Sequence, residues 1–378
     1  MSLAATLELD IDDMLAGLKR WVECESPTFD IDAVNRMMTL ASDDLVAMGA
    51  SVERVSGPAG LGDCLKASFP HPRQAEGGIL IMAHLDTVHP VGTLETLPFR
   101  RDGDRCYGPG ICDMKGGTYA ALRAVVALQQ AGVDMALPIH VLLTCDEEIG
   151  SPGTRELIER EAARHRYILV PEPARAGNGV ITGRYAIARF ELLAHGRPSH
   201  AGAALADGHS AIREMAARIP EIESMTDDDC TFSVGVVQGG QWVNCVSTSC
   251  RGEALSMAKR QADLDRGIER MLALTQRDTD GIGFEVKLGV VRPVWEAGQA
   301  TLSLYAQASR VADELKMPLP HASSGGGSDG NFTGAMGLAT LDGLGVRGAG
   351  IHTLDEHIEV DSLVERSRLM AGLMAVLR

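Results

Sequence analysis

Hydrophobic side chains recur along the first half of this chain with two different spacings, and each spacing predicts a different element. Apolar residues that return every three or four positions predict amphipathic helices at residues 11–24, 31–48, 118–130 and 154–166. Short, unbroken apolar runs predict strands buried on both faces at residues 78–83, 138–144 and 167–170. Because these strands alternate with helices, the pattern predicts an α/β fold with a helix-covered, mostly parallel sheet.

The pattern changes after about residue 184. Strands are predicted at residues 188–194, 231–237, 249–257 and 283–291, with helices at 210–219 and 263–275. This order is typical of a small α+β module with a four-stranded antiparallel sheet and two helices. Helical patterns then return at residues 299–316 and 363–377. We therefore predict a discontinuous catalytic domain, residues 1–183 and 294–378, with a small domain, residues 184–293, inserted in it.

Composition supports this division and narrows the possible partners. The chain has 378 residues, which exceeds the roughly 250–300 residues at which single hydrophobic cores stop growing. An apolar content of 45% and a charged content of 23% exclude disorder of the whole chain. The formal net charge of −16 disfavours nucleic acid or an anionic membrane as a partner.

Two further features favour a cytoplasmic location. No apolar run approaches the roughly 18–20 residues that a transmembrane helix needs, and the start of the chain lacks the pattern of a secretory signal. The eight cysteines contain no Cys-x-x-Cys pair. In a chain of this length they are typical of free thiols in a reducing compartment.

Acidic and imidazole side chains follow each predicted central strand. His84 and Asp86 come after the first apolar run, Glu147 and Glu148 after the second, and Glu172 after the third. Because ligands bind beyond the carboxyl ends of strands in open α/β sheets, we expect these side chains to converge at one edge. Carboxylates crowded in this way repel one another unless a cation lies among them. The sequence therefore predicts a metal site.

The spacing of these residues suggests individual roles. A metal-bound imidazole usually donates its second ring N–H to a carboxylate, and Asp86 lies two residues beyond His84. Adjacent residues on extended chain point to opposite sides, so one of Glu147 and Glu148 can bind metal while the other faces substrate. Asp113 precedes the predicted helix 118–130, where an acid that stabilises the helix dipole is the alternative interpretation.

Taken together and in this order, the motifs resemble those of the co-catalytic di-zinc peptidase family. This family contains aminoacylases, acetylornithine deacetylase, succinyl-diaminopimelate desuccinylase and glutamate carboxypeptidase, and the likeness is greatest to the glutamate carboxypeptidase (carboxypeptidase G) branch. The family has a late histidine ligand four residues before a glutamate, as His352 and Glu356 stand here. His357 then matches no ligand. By local spacing alone, His352 and His357 are five residues apart and do not form a helical zinc motif.

The resemblance implies a role for each matching residue. The implied metal ligands are His84, Asp113, Glu148, Glu172 and His352, with Asp113 bridging both ions. Glu147 is the implied general base, and Asp86 is the implied partner of the His84 ring.

The resemblance extends to the inserted domain and to the glycine-rich loop at residues 323–331. His200 matches a histidine that stabilises the oxyanion, often from the partner subunit, and Asn244 matches a substrate-contacting asparagine. Gly326 and Gly327 lie in the segment similar to the substrate loop of the family. Arg292 is a candidate for binding a substrate carboxylate, because guanidinium groups suit bidentate contacts.

What the resemblance implies is a zinc-dependent hydrolase that cleaves an amide bond next to a free carboxylate through a water shared by two Zn²⁺. Co²⁺ or Mn²⁺ also suits such ligands. The implied substrate is a peptide or N-acyl conjugate from which a C-terminal glutamate or similar amino acid is released, and an N-acyl amino acid deacylase is the alternative. Relatives commonly carry Asp-x-Arg where this chain has Glu253-Ala-Leu-Ser256, so strict glutamate specificity does not follow. A homodimer formed through the inserted lid/dimerisation domain is also expected.

Two other hypotheses remain. Residues 326–330 read G-x-S-x-G, which would make Ser328 a nucleophile with Asp342 or Asp355 and with His352 or His357. No apolar strand precedes this segment, which disfavours a serine hydrolase. A catalytically inactive metal-binding protein would lack a ligand or the base, and all of those positions are present.

Overall fold

The computed structural model describes residues 3–58 and 60–378 of the chain. The chain divides into a larger unit, Met1–Gly183 with Glu296–Ser324 and Ser328–Arg378, and a smaller unit, Arg184–Trp295 with Gly325–Gly327. The smaller unit ends two residues later than the expected boundary at 293, because the backbone of Arg184 pairs with that of Trp295 in both directions. Gly326 and Gly327 belong to it because their carbonyls accept hydrogen bonds from Arg184.

The helices are numbered in chain order. They are α1 (Leu3–Thr6), α2 (Ile11–Glu23), α3 (Ile31–Ala47), α4 (Gly116–Gln130), α5 (Arg155–Ala162), α6 (Ala211–Glu223), α7 (Gln261–Leu272), α8 (Gln299–Leu315), α9 (Gly330–Ala335) and α10 (Val360–Val376).

The strands are numbered in the same way. They are β1 (Ser51–Val55), β2 (Cys64–Ser68), β3 (Ile79–His84), β4 (Arg100–Asp102), β5 (Arg105–Tyr107), β6 (Ile139–Thr144), β7 (Tyr167–Leu169), β8 (Val180–Arg184), β9 (Ala186–His195), β10 (Cys230–Gly239), β11 (Ser249–Ala258), β12 (Gln276–Arg277), β13 (Gly283–Arg292), β14 (His321–Ser324), β15 (Ala339–Leu341), β16 (Gly348–Ala349) and β17 (His357–Glu359).

The main sheet of the larger unit has the strand order β1-β2-β6-β3-β7-β15. Strands β6, β3, β7 and β15 run parallel to one another, whereas β1 and β2 form an antiparallel edge. The prediction of a mostly parallel, helix-covered sheet is confirmed for its centre. The edge strand β1 was not predicted because its side chains are half-buried or exposed and form no apolar run.

Side chains from α2, α3, α4, α10 and the central strands form one hydrophobic core in this unit. Asp10 caps the N-terminus of helix α2, and its side chain accepts hydrogen bonds from the backbone N–H of Asp12 and Asp13. The helix buries Leu18 and Trp21 completely. A small sheet, β16-β17-β5-β4, brings the segment after residue 348 next to β5 and so to the loop that contains Asp113.

The smaller unit is an antiparallel sheet with the strand order β10-β11-β9-β13-β12, packed against α6 and α7. The predicted α+β module is confirmed, with a fifth strand, β12, whose two residues are too few to form a pattern. In β9, Phe190, Leu192 and Ala194 alternate with more exposed residues and enter a separate core. Within residues 3–58 and 60–378, we find no helix with the length and apolar character to cross a lipid bilayer.

Candidate metal centre

The ends of the central strands bring the predicted side chains together. His84 is the last residue of β3 and pairs in register with Thr144, the last residue of β6. Glu147 and Glu148 follow β6 in a short 3₁₀ turn, and Glu172 comes three residues after the end of β7. The expectation that Glu147 and Glu148 lie on extended chain is therefore wrong. The turn nevertheless directs their carboxylates towards different histidines.

A first cluster of possible metal ligands surrounds the buried imidazole of His84. Its Nε2 lies 3.3 Å from Asp113 Oδ1 and 3.8 Å from Glu172 Oε1. Ligand atoms of these three residues all lie within 4.8 Å of one another. This spacing allows one cation to contact all three side chains.

A second cluster lies on the other side of Asp113. His352 Nε2 is 3.4 Å from Asp113 Oδ2 and 3.2 Å from Glu148 Oε2. These three side chains also offer ligand atoms within 4.8 Å of one another. The two oxygens of Asp113 therefore face one histidine each, and Asp113 is common to both clusters.

The chemistry of these donors fits divalent transition-metal ions. Imidazole nitrogens with carboxylate oxygens suit zinc and, with less selectivity, cobalt or manganese. His84 Nδ1 lies 3.0 Å from the backbone oxygen of Asp86 and 3.4 Å from its Oδ1. The second ring nitrogen is therefore held in place, which is the usual arrangement behind a metal-bound histidine.

The electrostatics of the site also favour a cation. Burial, together with the charge of Asp113, holds the pKa of Glu172 well above its usual value. Hydrogen bonds to Asp113 and Glu148 raise the pKa of His352 to about 10. Burial lowers the pKa of His84, but hydrogen bonds to Asp113 and Asp86 outweigh it and keep that pKa well above its usual value. The raised pKa of each histidine reflects the neighbouring carboxylates, and that of Glu172 reflects its burial as well as the charge of Asp113.

Asp86 connects the segment that contains His84 to the turn that contains Glu147 and Glu148. It is fully buried, and its carboxylate accepts hydrogen bonds from the Thr28 hydroxyl at 2.8 Å and from the backbone N–H groups of Glu147 and Glu148 at 3.2 Å each. The same residue contacts the His84 ring. Asp86 therefore positions both a ligand histidine and the turn that carries the acidic pair.

Sequence reasoning missed the residues that support Asp113. The Glu356 carboxylate accepts hydrogen bonds from the backbone N–H of Gly110, Cys112 and Asp113, and lies 2.7 Å from His89 Nε2. It therefore connects the late segment of the chain to the Asp113 loop. The four-residue spacing between His352 and Glu356 could have indicated a role for Glu356. No recognisable sequence pattern marks His89.

The smaller unit holds the next two predicted residues. His200 Nδ1 accepts hydrogen bonds from the backbone N–H of Gly202 and Ala203, both at 3.1 Å. A neutral ring with this acceptor carries its proton on Nε2. The backbone oxygen of Asn244 accepts a hydrogen bond from Ala201, so both residues belong to one exposed loop region.

Arg292, Gly326 and Gly327 also belong to the smaller unit. Arg292 is buried at the end of β13. A Cβ at Gly327 would lie 2.9 Å from Arg292 Cδ and 2.7 Å from Ile187 Cδ1, so any other residue there would have to displace these side chains. The carbonyls of Gly326 and Gly327 accept from Arg184, a buried residue that the sequence did not single out.

The structure contradicts the serine-nucleophile hypothesis. Ser328 is fully buried, donates its hydroxyl directly to Asp342 Oδ2 at 2.6 Å, and accepts a hydrogen bond from the backbone N–H of Gly330. In a Ser-His-Asp triad, a histidine lies between the serine and the acid. His352 instead faces Asp113 and Glu148, and His357 Nδ1 lies 2.7 Å from the backbone oxygen of Asp355. Ser328 therefore stabilises a turn.

With this geometry established, comparison with known proteins identifies the family. The family model for peptidase family M20/M25/M40 matches residues 80–376. The chain belongs to this family. The resemblance inferred from the strand-end motifs is thereby confirmed, and the chain is a hydrolase of the metallopeptidase type.

Individual members of the family align over most of the chain. Carboxypeptidase G2 from Pseudomonas sp. (strain RS-16) is 30% identical over 374 residues, covering 96% of this chain and 88% of that protein. Acetylornithine deacetylase from Myxococcus xanthus is 26% identical over 314 residues, covering 79% of each. An M20 family metallo-carboxypeptidase from Sulfolobus solfataricus superposes with a TM-score of 0.74 at 13% identity, covering 97% of this chain and 99% of that one, and it shares the fold.

Proposed function

We propose that this hydrolase cleaves an amide bond next to a free carboxylate and releases a C-terminal glutamate or similar amino acid from a peptide or an N-acyl conjugate. The observation that carries the proposal is the Asp113 carboxylate, whose two oxygens each face a histidine of a different ligand cluster. The 30% identity to Carboxypeptidase G2 across nearly the whole chain supports the substrate class. An N-acyl amino acid deacylase is the second candidate, supported by the similarity to acetylornithine deacetylase.

The proposed site holds two divalent cations, of which zinc is the first candidate. His84, Asp113 and Glu172 would hold one ion, and Asp113, Glu148 and His352 the other. Bound cations of this kind polarise a carbonyl oxygen and lower the pKa of water towards neutrality.

Glu147 is the proposed general base. Its Oε2 lies 3.8 Å from His84 Nε2, at the edge of the first cluster, and its side chain is largely buried. A carboxylate in this position accepts a proton from the attacking water and returns it to the leaving amine. Asp86 holds the Glu147 backbone and the His84 ring, so we assign it a positioning role.

Three residues of the smaller unit are proposed to contact the substrate or the oxyanion. His200 would donate from Nε2 to the oxyanion, because its Nδ1 is already an acceptor of backbone hydrogen bonds. Asn244 and Arg292 would bind polar groups of the substrate, with the guanidinium suited to the free carboxylate.

The substitution Glu147→Gln tests the mechanism. Metal content should stay near two ions per chain, because Glu147 belongs to neither ligand cluster. Hydrolysis should fall by about 10²–10⁴-fold, the usual contribution of a general base. Glu156→Gln, which changes an exposed carboxylate on α5, is the control and should retain activity. Undiminished hydrolysis by Glu147→Gln would show that another group accepts the proton.

A substrate panel separates the two candidate functions. Dipeptides and N-acyl amino acids that share the same C-terminal residue would be assayed with zinc. A higher kcat/KM for the dipeptides supports the carboxypeptidase, and a higher kcat/KM for the N-acyl compounds supports the deacylase. Loss of activity on chelation and its return with zinc are expected in both cases.

The compartment and assembly are part of the same proposal. All eight cysteines lie in the described residues and are free thiols, which supports a cytoplasmic protein. We expect a homodimer formed through the smaller unit. Light scattering on the purified full chain tests this, and a monomer mass at micromolar concentration would contradict it.

A further inference from the structure

A cavity of about 550 Å³ opens in the larger unit beside the candidate metal centre. Two loop segments form most of its lining, with residues 27–30 from one and residues 87, 88, 90 and 91 from the other. Phe29, Val88 and Val91 remain 77%, 40% and 53% exposed although they are large and apolar. Apolar side chains that are exposed together around a concave surface are typical of a binding site.

The cavity shares one residue, Glu148, with the candidate metal centre. Glu148 lines it together with Ile149, and Glu148 Oε2 lies 3.2 Å from His352 Nε2 in the second ligand cluster. The cavity therefore lies next to the second ligand cluster.

Hydrogen bonds hold both lining segments in place. Thr28 donates its hydroxyl to Asp86 at 2.8 Å and its backbone N–H to the oxygen of Thr87 at 3.3 Å. On the other side, the Glu25 carboxylate accepts hydrogen bonds from the backbone N–H of Gly92 and Leu94, just after Val91. The walls are therefore formed before a ligand arrives, which lowers the entropic cost of binding.

The charges around the cavity indicate which part of a substrate it accepts. Asp30 and Glu148 line it, and the described lining residues include no lysine, arginine or histidine. A carboxylate placed there would meet the charge of Asp30, and no basic side chain among these lining residues would compensate it, whereas the charge of Glu148 would be offset by the proposed metal ion. The free carboxylate of the proposed substrate therefore lies elsewhere, and the cavity is suited to the other side of the amide.

We propose that this cavity binds the acyl group of the substrate and selects uncharged hydrocarbon acyl groups longer than acetyl. The proposal rests on the proposed function and extends it by naming the acyl class. Phe29, Val88, Val91 and Ile149 determine this preference, while Asp30 disfavours acyl groups that carry a carboxylate.

Three substrates with a constant glutamate test the preference: N-hexanoyl-, N-acetyl- and N-succinylglutamate. We expect kcat/KM to be about tenfold or more higher for the hexanoyl than for the acetyl compound, and lowest for the succinyl compound. Phe29→Ser and Val91→Ser should each lower the hexanoyl-to-acetyl ratio, together by about tenfold. Val46→Ser, which changes an exposed valine of α3 outside the cavity, is the matched control and should keep the wild-type ratio.

An unchanged ratio in Phe29→Ser and Val91→Ser would overturn the proposal. The proposal also fails if these variants instead lower hydrolysis of N-acetylleucine relative to N-acetylglutamate, because the cavity would then bind the side chain of the amino acid.

Failure of the proposed function gives a different result, namely that the metal-loaded protein hydrolyses none of these amides. Calorimetric binding of N-hexanoylglutamate then tests the cavity by itself. Binding about tenfold weaker to Phe29→Ser than to Val46→Ser supports it, and equal binding overturns it.

Discussion

Replacing Glu356 by glutamine should weaken the candidate metal centre without changing any of its proposed ligands. The Glu356 carboxylate is 1% exposed. Its Oε1 accepts from the backbone N–H of Cys112 at 2.8 Å and of Asp113 at 3.1 Å, and its Oε2 faces Gly110 N at 2.9 Å and His89 Nε2 at 2.7 Å. Glutamine keeps one carbonyl oxygen, so its NH₂ group must oppose backbone donors on one side.

The magnitude follows from the bonds that are lost. In one orientation the NH₂ group meets the donors of Cys112 and Asp113, and in the other it meets that of Gly110. A hydrogen bond to a charged group contributes about 1.5–3 kcal/mol, and a buried donor left unsatisfied costs about 1–3 kcal/mol. We therefore expect the free energy of unfolding to fall by about 2–4 kcal/mol. Because Asp113 itself would shift, zinc affinity should fall by about 10–100-fold, as is usual when support of a ligand is lost.

Urea unfolding in the presence of chelator isolates the effect on the fold, and titration calorimetry with zinc gives the effect on the site. Glu359→Gln is the control, because Glu359 is a partly exposed carboxylate that pairs with Arg347 on the surface. Such a pair contributes about 0–1 kcal/mol, and zinc affinity should not change. If Glu356→Gln behaves like Glu359→Gln in both measurements, Glu356 does not hold the Asp113 loop.

Two further predictions concern protonation and the buried serine. The pKa of His352 is raised to about 10 and that of His84 is also raised, and both residues must lose a proton to bind metal. Zinc affinity should therefore rise with pH up to about 10, and calorimetry in two buffers should detect the released protons. An affinity that does not change with pH would contradict this prediction. Ser328→Ala removes the hydroxyl that donates to Asp342, so it should lower the free energy of unfolding by about 1–3 kcal/mol. Hydrolysis should persist in this variant. A loss of turnover without a loss of stability would instead support Ser328 as a nucleophile.

The central architecture could be predicted because each of its elements has a local pattern of apolar and polar residues. Mostly apolar runs identified β3, β6 and β7, since strands covered on both faces leave few positions for polar side chains. The alternation in β9 identified a sheet with one covered face. The edge strands β1 and β12 were missed, because exposed or very short strands have few buried positions to mark them.

Within the site, the sequence pattern was enough to predict which side chains follow the central strands. The carboxyl ends of parallel strands meet at one edge, so His84, Glu147, Glu148 and Glu172 had to come close together. Asp113 and His352 required the family resemblance, because each lies in a loop whose local pattern has an ordinary structural explanation.

The support of the site and the cavity beside it depend on contacts between segments that are distant in the sequence. Glu356 reaches the Asp113 loop from more than 240 residues away in the chain, and the loops around Phe29 and Val91 create a cavity next to Glu148. Loops carry no periodicity that reveals their neighbours. Their contacts arise when the sheet and its helices have packed, and that packing places backbone donors against a carboxylate and apolar side chains around a cavity.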